Sequence, residues 1–518
     1  MKKLWFCLFY LPILGIAQNA APQITNLQAA FNPATNRLTA SFDISDAEND
    51  SVEVILLVSD NAGIQYTLDA SNAFGDVGFP IAAETGRLLY WDAPQGLNAD
   101  SLRIKVVVDD RMPADIGALV AQVDSNRLRS DLNFIAQIRH RIAGLPHLEA
   151  VKDTIETLFV EFNLATRRQG KDQNGYAIEN ILGRRTGVQE PDIYYILDAH
   201  FDGVSVSPGA DDNGSGVVGV LEAARIMSAY EFDKTIEFVG FDQEELGLLG
   251  SLAYVLEGGV DSAETLAGVF NLEMIGYYDN APNTQQFPNG FNLLFPAQYN
   301  AVAADGFRGN FLTNVANANS TPLMQAYDNA AQTYVPELKV ISLAAPGNAE
   351  LAPDLRRSDH APFWEAGYQA LMLTDASEFR NFNYHSPNDT VGSLNFTFMS
   401  RVVQASIATL AELAGLKHAS SATASVANIP VSISELACDF PLIYVQPDAF
   451  HLDFSGLDCT WRQADVQFIN MQGQIVQQQA IPRQTDRLRL NTSTLSKGIY
   501  LVKIKIDTEI YWRKVSLF

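Results

Sequence analysis

The sequence predicts an α/β domain, a mainly parallel sheet with helices on both faces, set between two β-rich segments. Three observations predict it. Between residues 116 and 417, short apolar runs (DIYYILDA, TIEFVGFD, GVFNLEMIG, KVISLAA, QALMLTD) alternate with stretches of helical period, the pattern of parallel strands joined by crossover helices. Residues 18–115 hold NRLTASFDISD, SVEVILLVSD, GRLLYWDAP and SLRIKVVVDD, short runs with β-branched residues separated by turns. Beyond residue 440, DVQFINMQGQIVQQQAI, RLRLNTSTL and GIYLVKIKIDTEIYWRKVSLF again read as strands and turns.

Taken in order, the chain opens on MKKLWFCLFYLPILGIA. Lys2 and Lys3 precede an apolar run, Leu4 to Ile16, which ends in a small-x-small pattern at Ala17. This is the pattern of a secretory signal peptide over residues 1–17, its apolar run too short to span a membrane. No later stretch approaches about 20 apolar residues, so the mature protein is expected not to be an integral membrane protein. Removing the signal removes Cys7 and leaves Cys438 and Cys459, between which an oxidising compartment predicts a disulfide.

Residues 18–115 have the spacing of an immunoglobulin- or fibronectin-like β-sandwich. Asp124 or Ser125 then caps a helix with apolar positions Leu128, Leu132, Ile135, Ile138 and Ile142. A second helix carries Leu148, Val151, Ile155, Leu158 and Phe162. The α/β domain covers 116–417, and residues 418–440, rich in Ser, Ala and Thr, read as a linker. The last β domain, 441–518, holds nine Lys and Arg against seven Asp and Glu, whereas the whole chain carries −25. That acidity argues against a nucleic-acid partner, because phosphate contacts need a basic surface.

In open α/β sheets, ligands bind beyond the carboxyl ends of the strands. DIYYILDAH ends at His200, TIEFVGFDQEE at Glu244 and Glu245, and GVFNLE at Glu273. His385 follows the last apolar strand across a loop, and Asp212 lies on the glycine-rich run after His200. Imidazole with carboxylate suits zinc, and a carboxylate such as Asp212 can touch two ions at once. Asp202 is spaced to accept the other ring proton of His200 and so fix its tautomer. Of the adjacent Glu244 and Glu245, one can bind metal while the other faces water.

The segments GADDNGSG, FDQEELGLLGS, NLEMIGY, SDHAPFWEAGY and YHSPNDT together resemble, in order and over about 300 residues, the motifs of zinc aminopeptidases of metallopeptidase family 28. The resemblance implies a zinc exopeptidase fold and two zinc ions. His200, Asp212 and Glu273 would hold one ion, and Asp212, Glu245 and His385 the other. Glu244 would be the general base, Asp202 would orient His200, and Asp211 would support the loop. Many aminopeptidases of the family carry Asp where this chain has Glu273. The substrate implied is a peptide or protein cleaved at its N-terminal residue. The alternatives are a glutaminyl-peptide cyclase of the same fold, a carboxypeptidase or dipeptidase specificity, or a non-catalytic surface-binding protein.

Around the site, Met274, Phe379, Phe382 and Tyr384 are candidates for a side-chain pocket. His360 either lines that pocket or caps the next helix. LSKGIYLVKI and the closing RKVSLF resemble the C-terminal sorting domain of type IX secretion cargo. That resemblance implies the type IX machinery as a partner and a secreted or surface-attached location in a Gram-negative bacterium.

Overall fold

The computed structural model describes residues 19–428, with breaks at 34, 64, 174–175, 257–258 and 261–262. Towards the C-terminus it describes 442–446, 449–453, 464–470, 474–481, 487–491, 495–496, 498–506 and 509–517. The signal peptide, Cys438, Cys459 and residues 429–440 of the expected linker lie outside the described residues. The chain divides into two compact units, Met1–Ile429 and Pro430–Phe518.

The first unit begins with seven strands: β1 (Gln23–Asn32), β2 (Arg37–Ser45), β3 (Ser51–Ser59), β4 (Phe74–Gly75), β5 (Gly78–Ala82), β6 (Arg87–Asp92) and β7 (Arg103–Pro113). Alternation sets their facing, since the side-chain period of a strand is two. Leu38, Ala40, Phe42 and Ile44 point inward from β2, and Val52, Val54, Leu56 and Val58 from β3. They meet Trp91, Ile104, Val106 and Val108 in one apolar core. The Trp91 indole donates to the Asp69 carbonyl at 3.2 Å, which satisfies its one polar atom.

The α/β part follows. Its helix Ser125–Ile135 starts where the Asp124 carboxylate accepts the Asn126 N–H at 2.8 Å, an N-cap. The helix stops at Ile135, so Ile138 and Ile142, expected on its apolar face, lie beyond it, 38% and 70% exposed. The chain turns there because Arg139 is drawn inward and its guanidinium takes the Ile135 carbonyl at 2.9 Å.

Eight strands build the central sheet: β8 (Ala165–Gln173), β9 (Tyr176–Arg185), β10 (Glu190–His200), β11 (Lys234–Phe241), β12 (Thr265–Glu273), β13 (Leu312–Asn317), β14 (Val340–Ala345) and β15 (Ala370–Thr374). Their order is β14-β13-β15-β12-β10-β11-β9-β8. The four middle strands, β15, β12, β10 and β11, run parallel. Antiparallel pairings join them to β13 on one side and to the β9–β8 hairpin on the other. One face is covered by helices Ser125–Ile135, Leu145–Glu161, Gly216–Met227, Thr321–Tyr334 and Phe396–Ala414. The other is covered by Leu249–Leu256, Pro296–Ala304 and His360–Glu365.

Residues 418–428, expected to open a linker, instead form with Lys417 strand β16 (Lys417–Asn428) of the N-terminal sandwich. Lys417–Ser425 pair antiparallel with β7, and Ala29–Phe31 of β1 pair in parallel with Val426–Asn428. The Ser/Ala/Thr composition suits a strand that meets another surface: Ser421 donates to Glu231 at 2.5 Å. Lys417 bridges Asp109 of the sandwich at 2.8 Å and Asp233 of the α/β part at 2.9 Å.

The second unit holds a three-stranded sheet, Leu442–Gln446, Ala449–Asp453 and Arg487–Asn491, and a four-stranded one, Ile475–Ile481, Ala464–Asn470, Gly498–Ile506 and Glu509–Leu517. All its pairings are antiparallel. Val466, Phe468, Val502 and Ile504 are fully buried. Among the described residues, no helix is long and apolar enough to cross a membrane.

Candidate metal centre

β10 lies between β11 and β12, so the residues leaving these three strands share one edge of the sheet. His200 is the last residue of β10, and Glu273 the last of β12. β11 ends at Phe241, and Glu244 begins a one-turn 3₁₀ helix after Gln243 at φ 57°. Asp212 sits on the turn Ala210–Ser215, entered through Gly209 at φ 60°. A β-carbon on Gly209 would lie 2.3 Å from the Asp212 carbonyl oxygen, so the turn closes this tightly only with glycine there. His385 arrives on the loop that follows β15.

These elements bring the predicted ligands together. His200 Nε2 lies 3.4 Å from Glu273 Oε2 and 3.5 Å from Asp212 Oδ1. His385 Nε2 lies 3.0 Å from Asp212 Oδ2 and 3.2 Å from Glu245 Oε2. The two oxygens of Asp212 thus face two different histidines. Glu244 Oε2 is 3.9 Å from His200 Nε2. Ligand atoms of His200, Glu244 and Glu273 lie within 4.8 Å of one another, as do those of Asp212, Glu245 and His385.

The donor set fits divalent cations. Asp212 Oδ2, Glu245 Oε1 and His385 Nε2 are buried atoms without a hydrogen-bond partner, although buried polar groups are ordinarily paired. Asp212 Oδ2 and His385 Nε2 stand at ion-pair distance without hydrogen-bonding geometry, as atoms do when they turn lone pairs on a common centre. Charge says the same. Burial pushes Glu244 well above the usual carboxylate range, and Glu273 and Glu245 reinforce it against the opposing pull of His200. Burial pushes His385 down, but Asp212 and Glu245 beside it carry it up to about 10. Negative charge exceeds what the two imidazoles can balance.

Asp202 does more than face His200 Nδ1, from which its Oδ1 lies 3.4 Å. Its two oxygens also accept the backbone N–H groups of Glu244 and Glu245 at 2.9 and 3.2 Å. One carboxylate therefore fixes both the imidazole and the paired glutamates. Asp211 accepts Gly276 N–H and the Asn381 amide at 2.9 and 2.7 Å, which ties the Asp212 turn to two loops.

Sequence reasoning passed over several supports. Asp389 accepts the N–H groups of Asp211 at 2.9 Å and Asp212 at 3.1 Å; it stands in the quoted YHSPNDT but drew no role there. Asn213 donates to the Leu272 carbonyl at 2.8 Å and accepts Met274 N–H at 3.1 Å, linking the turn to β12. Ser358 donates to Glu273 Oε2 at 2.7 Å. Arg139, fully buried, donates to the carbonyls of Phe201, Pro208 and Gly209 at 2.9, 2.7 and 2.9 Å. It lies far from any motif, and a lone arginine after a helix gives no sequence signal.

Beside Glu273 opens a cavity of about 810 Å³, part of it open to solvent, with Phe287, Phe311, Leu343, Met372, Phe379 and Tyr384 among its walls. Of the expected pocket residues, Phe379 and Tyr384 line this cavity. Tyr384 also stacks on His385, centroids 3.8 Å apart, and accepts Arg357 at 3.0 Å. Met274 and His360 do not line the cavity. Met274 is fully buried behind Glu273, its backbone held by Asn213 and Asp375. His360 opens the helix His360–Glu365, buried edge-on to Trp364 at 4.4 Å, with Nε2 2.9 Å from the Leu355 carbonyl. It is a core histidine, and burial pushes it down to about 4. Phe382 is 65% exposed.

Residues 180–410 match Peptidase family M28, and residues 446–517 match the secretion system C-terminal sorting domain. Uncharacterized protein YfbL of Escherichia coli strain K12 is 29% identical over 298 residues, 55% of this chain and 87% of that protein. Aminopeptidase YwaD of Bacillus subtilis strain 168 is 27% identical over 277 residues, 51% of this chain and 55% of its own. A probable zinc metalloprotease of Pyrenophora teres f. teres is 25% identical over 253 residues, 46% of this chain and 52% of its own. The chain thus spans about half the length of the last two. Residues 180–410 are thus similar to Peptidase family M28, and residues 446–517 to the secretion system C-terminal sorting domain.

Proposed function

We propose that the protein is a secreted aminopeptidase that uses two zinc ions. The observation that carries this reading is Asp212, whose two oxygens face His200 and His385 separately. His200, Asp212 and Glu273 would hold one ion, and Asp212, Glu245 and His385 the other. When bound, zinc supplies a Lewis acid that polarises a carbonyl and lowers the pKa of water to roughly 7. The names of YwaD and of the Pyrenophora protease support aminopeptidase and zinc respectively.

The chain's own residues supply the rest. Glu244, 3.9 Å from His200, is left out of both ligand sets in this reading, and its carboxylate takes the proton of the attacking water and returns it to the leaving amine. Asp202 holds it there through its backbone N–H. The acid surplus receives the substrate's cationic α-amino group beside Glu273, and the apolar cavity receives the N-terminal side chain. Tyr384, stacked on His385, closes that side of the site. Secretion would run through the type IX machinery of a Gram-negative bacterium, with the sorting domain as its signal.

The test is Glu244→Gln. It should keep two zinc ions per chain by elemental analysis and lose about 10²–10⁴-fold in kcat on aminoacyl substrates. Unchanged turnover would remove the assigned base. One ion per chain with closure of N-terminal glutamine into a ring would make the protein a cyclase instead. Cleavage of N-blocked peptides would remove the aminopeptidase specificity. A metal-free protein that binds peptide without cleaving it would remove the enzyme.

A further inference from the structure

A second cleft lies where the sandwich meets the α/β part, with a volume of about 1790 Å³ that includes open solvent. Arg103 and Lys105 of β7 and Arg184 and Arg185 of β9 line it, and among the described residues no aspartate or glutamate does. This is unusual in a chain with 60 acidic and 35 basic residues. The strand period explains the sandwich wall: Arg103 and Lys105 are two apart, and Ser425 and Thr423 of β16 pair directly opposite them. They therefore share a face.

Three carboxylates neighbour these cations, and all are engaged: Glu237, near Arg184, faces Arg167 at 3.7 Å and accepts Tyr254. Glu231 is buried and takes Lys105 at 2.7 Å and Arg185 at 2.5 Å. Glu264 takes Arg184 through both oxygens, at 2.6 and 3.0 Å. The Arg103 guanidinium donates to the carbonyls of Asp100 and Leu102 at 2.9 and 2.7 Å. One carboxylate shared between Lys105 and Arg185 leaves the region positive, and burial together with Arg185 pushes Lys105 down to about 8. A concave, low-dielectric wall focuses such a field.

The lining also offers hydroxyls, from Tyr66, Thr166, Thr186, Ser421, Thr423 and Ser425, among small and apolar residues such as Leu57, Val160 and Leu164. Guanidinium forks match carboxylate and sulfate oxygens. Hydroxyls match the hydroxyls of a sugar, and the Tyr66 ring offers a flat apolar face. We propose that this cleft binds an acidic saccharide, one bearing sulfate or carboxylate groups, apart from the peptidase site. The catalytic domain would then work on peptides while the junction holds the enzyme to a charged glycan.

The full-length protein is titrated calorimetrically with a heparin-derived tetrasaccharide, with neutral maltotetraose and with sodium sulfate. The tetrasaccharide should bind, weaken with added salt, and bind the Arg103→Glu variant about tenfold less tightly. Ser425→Asp sets a carboxylate opposite Arg103 without touching any cation and should weaken binding in the same direction. Both variants should keep the wild-type melting temperature and aminopeptidase rate. Equal binding of maltotetraose would overturn the proposal, as would absence of binding or indifference to both variants. Binding of sulfate as tight as that of the tetrasaccharide would reduce the cleft to an adventitious ion only.

Discussion

Asp212 is asked to satisfy two histidines at once, and only a group with two equivalent anionic oxygens can do so. Asp212→Asn keeps the shape but gives one histidine an amide NH₂. It should bind the second zinc at least about 100-fold more weakly and lose activity with it; metal content after dialysis is the measurement, and retention of both ions would remove the bridge. This pair of contacts was legible in the sequence because Asp212 stands on a glycine-rich turn, His200 ends an apolar strand and His385 follows another across a loop. Ser358 was not: its role exists only through Glu273, 85 positions away. His360 was readable as a residue with something to do, but not which thing. Its Nε2 faces the Leu355 carbonyl, and Nδ1 is buried without a partner. The folded state therefore resists its protonation, and the value near 4 lies below the usual 6.5 or so. A depressed histidine binds its proton more readily when unfolded, so stability falls as pH drops from about 6.5 towards 4. The full shift sets a ceiling of about 3 kcal/mol. His360→Phe should lack this term, so urea melts of the zinc-free proteins should show wild type losing more stability than the variant between pH 7 and 4.5. Parallel losses would contradict a neutral buried imidazole.

The element that carries the site is the run from Phe201 to Asp212, and it has little regular structure to hold it. Arg139 does that work by spreading its guanidinium over the carbonyls of Phe201, Pro208 and Gly209. Asp389 grips the turn from the other side through two backbone N–H groups. Arg139→Met removes the fork and strands those carbonyls away from water. Unpaired buried carbonyls cost about 1–3 kcal/mol each, so we expect a loss of roughly 3 kcal/mol or more in urea unfolding. Zinc affinity should fall with it. Arg139→Lys keeps the charge but lacks the planar fork, and should recover only part of the loss. A wild-type unfolding curve for Arg139→Met would show that the turn holds itself. At this scale the sequence showed the parallel strands well, since IYYIL, IEFVGF and VFNLE are apolar on both faces. It hid β8, whose ATRRQGKDQ is a polar edge strand, and β13, whose LTNVAN is too short and polar to stand out. The helix ending at Ile135 also ran shorter than its period suggested, because Arg139 turns the chain inward.

For the whole molecule, the unexpected feature is that the sandwich is closed by a strand arriving some 300 residues after the others. β16 follows the last helix of the peptidase domain and lies between β1 and β7. Its composition, KHASSATASVAN, reads as linker because small polar residues mark linkers more often than interface strands. What makes it a strand is a long-range pairing that no local pattern records. The consequence is that sandwich and peptidase domain lie in one compact unit rather than two beads. A chain ending at Leu416 would leave β1 and β7 with bare edges, lose Val426 from the sandwich core and strip Lys417 from Asp109 and Asp233. Exposed edges of this kind invite association, so the chain ending at 416 should aggregate in size-exclusion chromatography and melt at a lower temperature. A chain ending at Ile429 keeps β16 and drops only the second unit. It should stay monodisperse, with the peptidase rate of the full chain. If both truncated chains melt alike, β16 adds nothing to the sandwich and the peptidase domain folds without it.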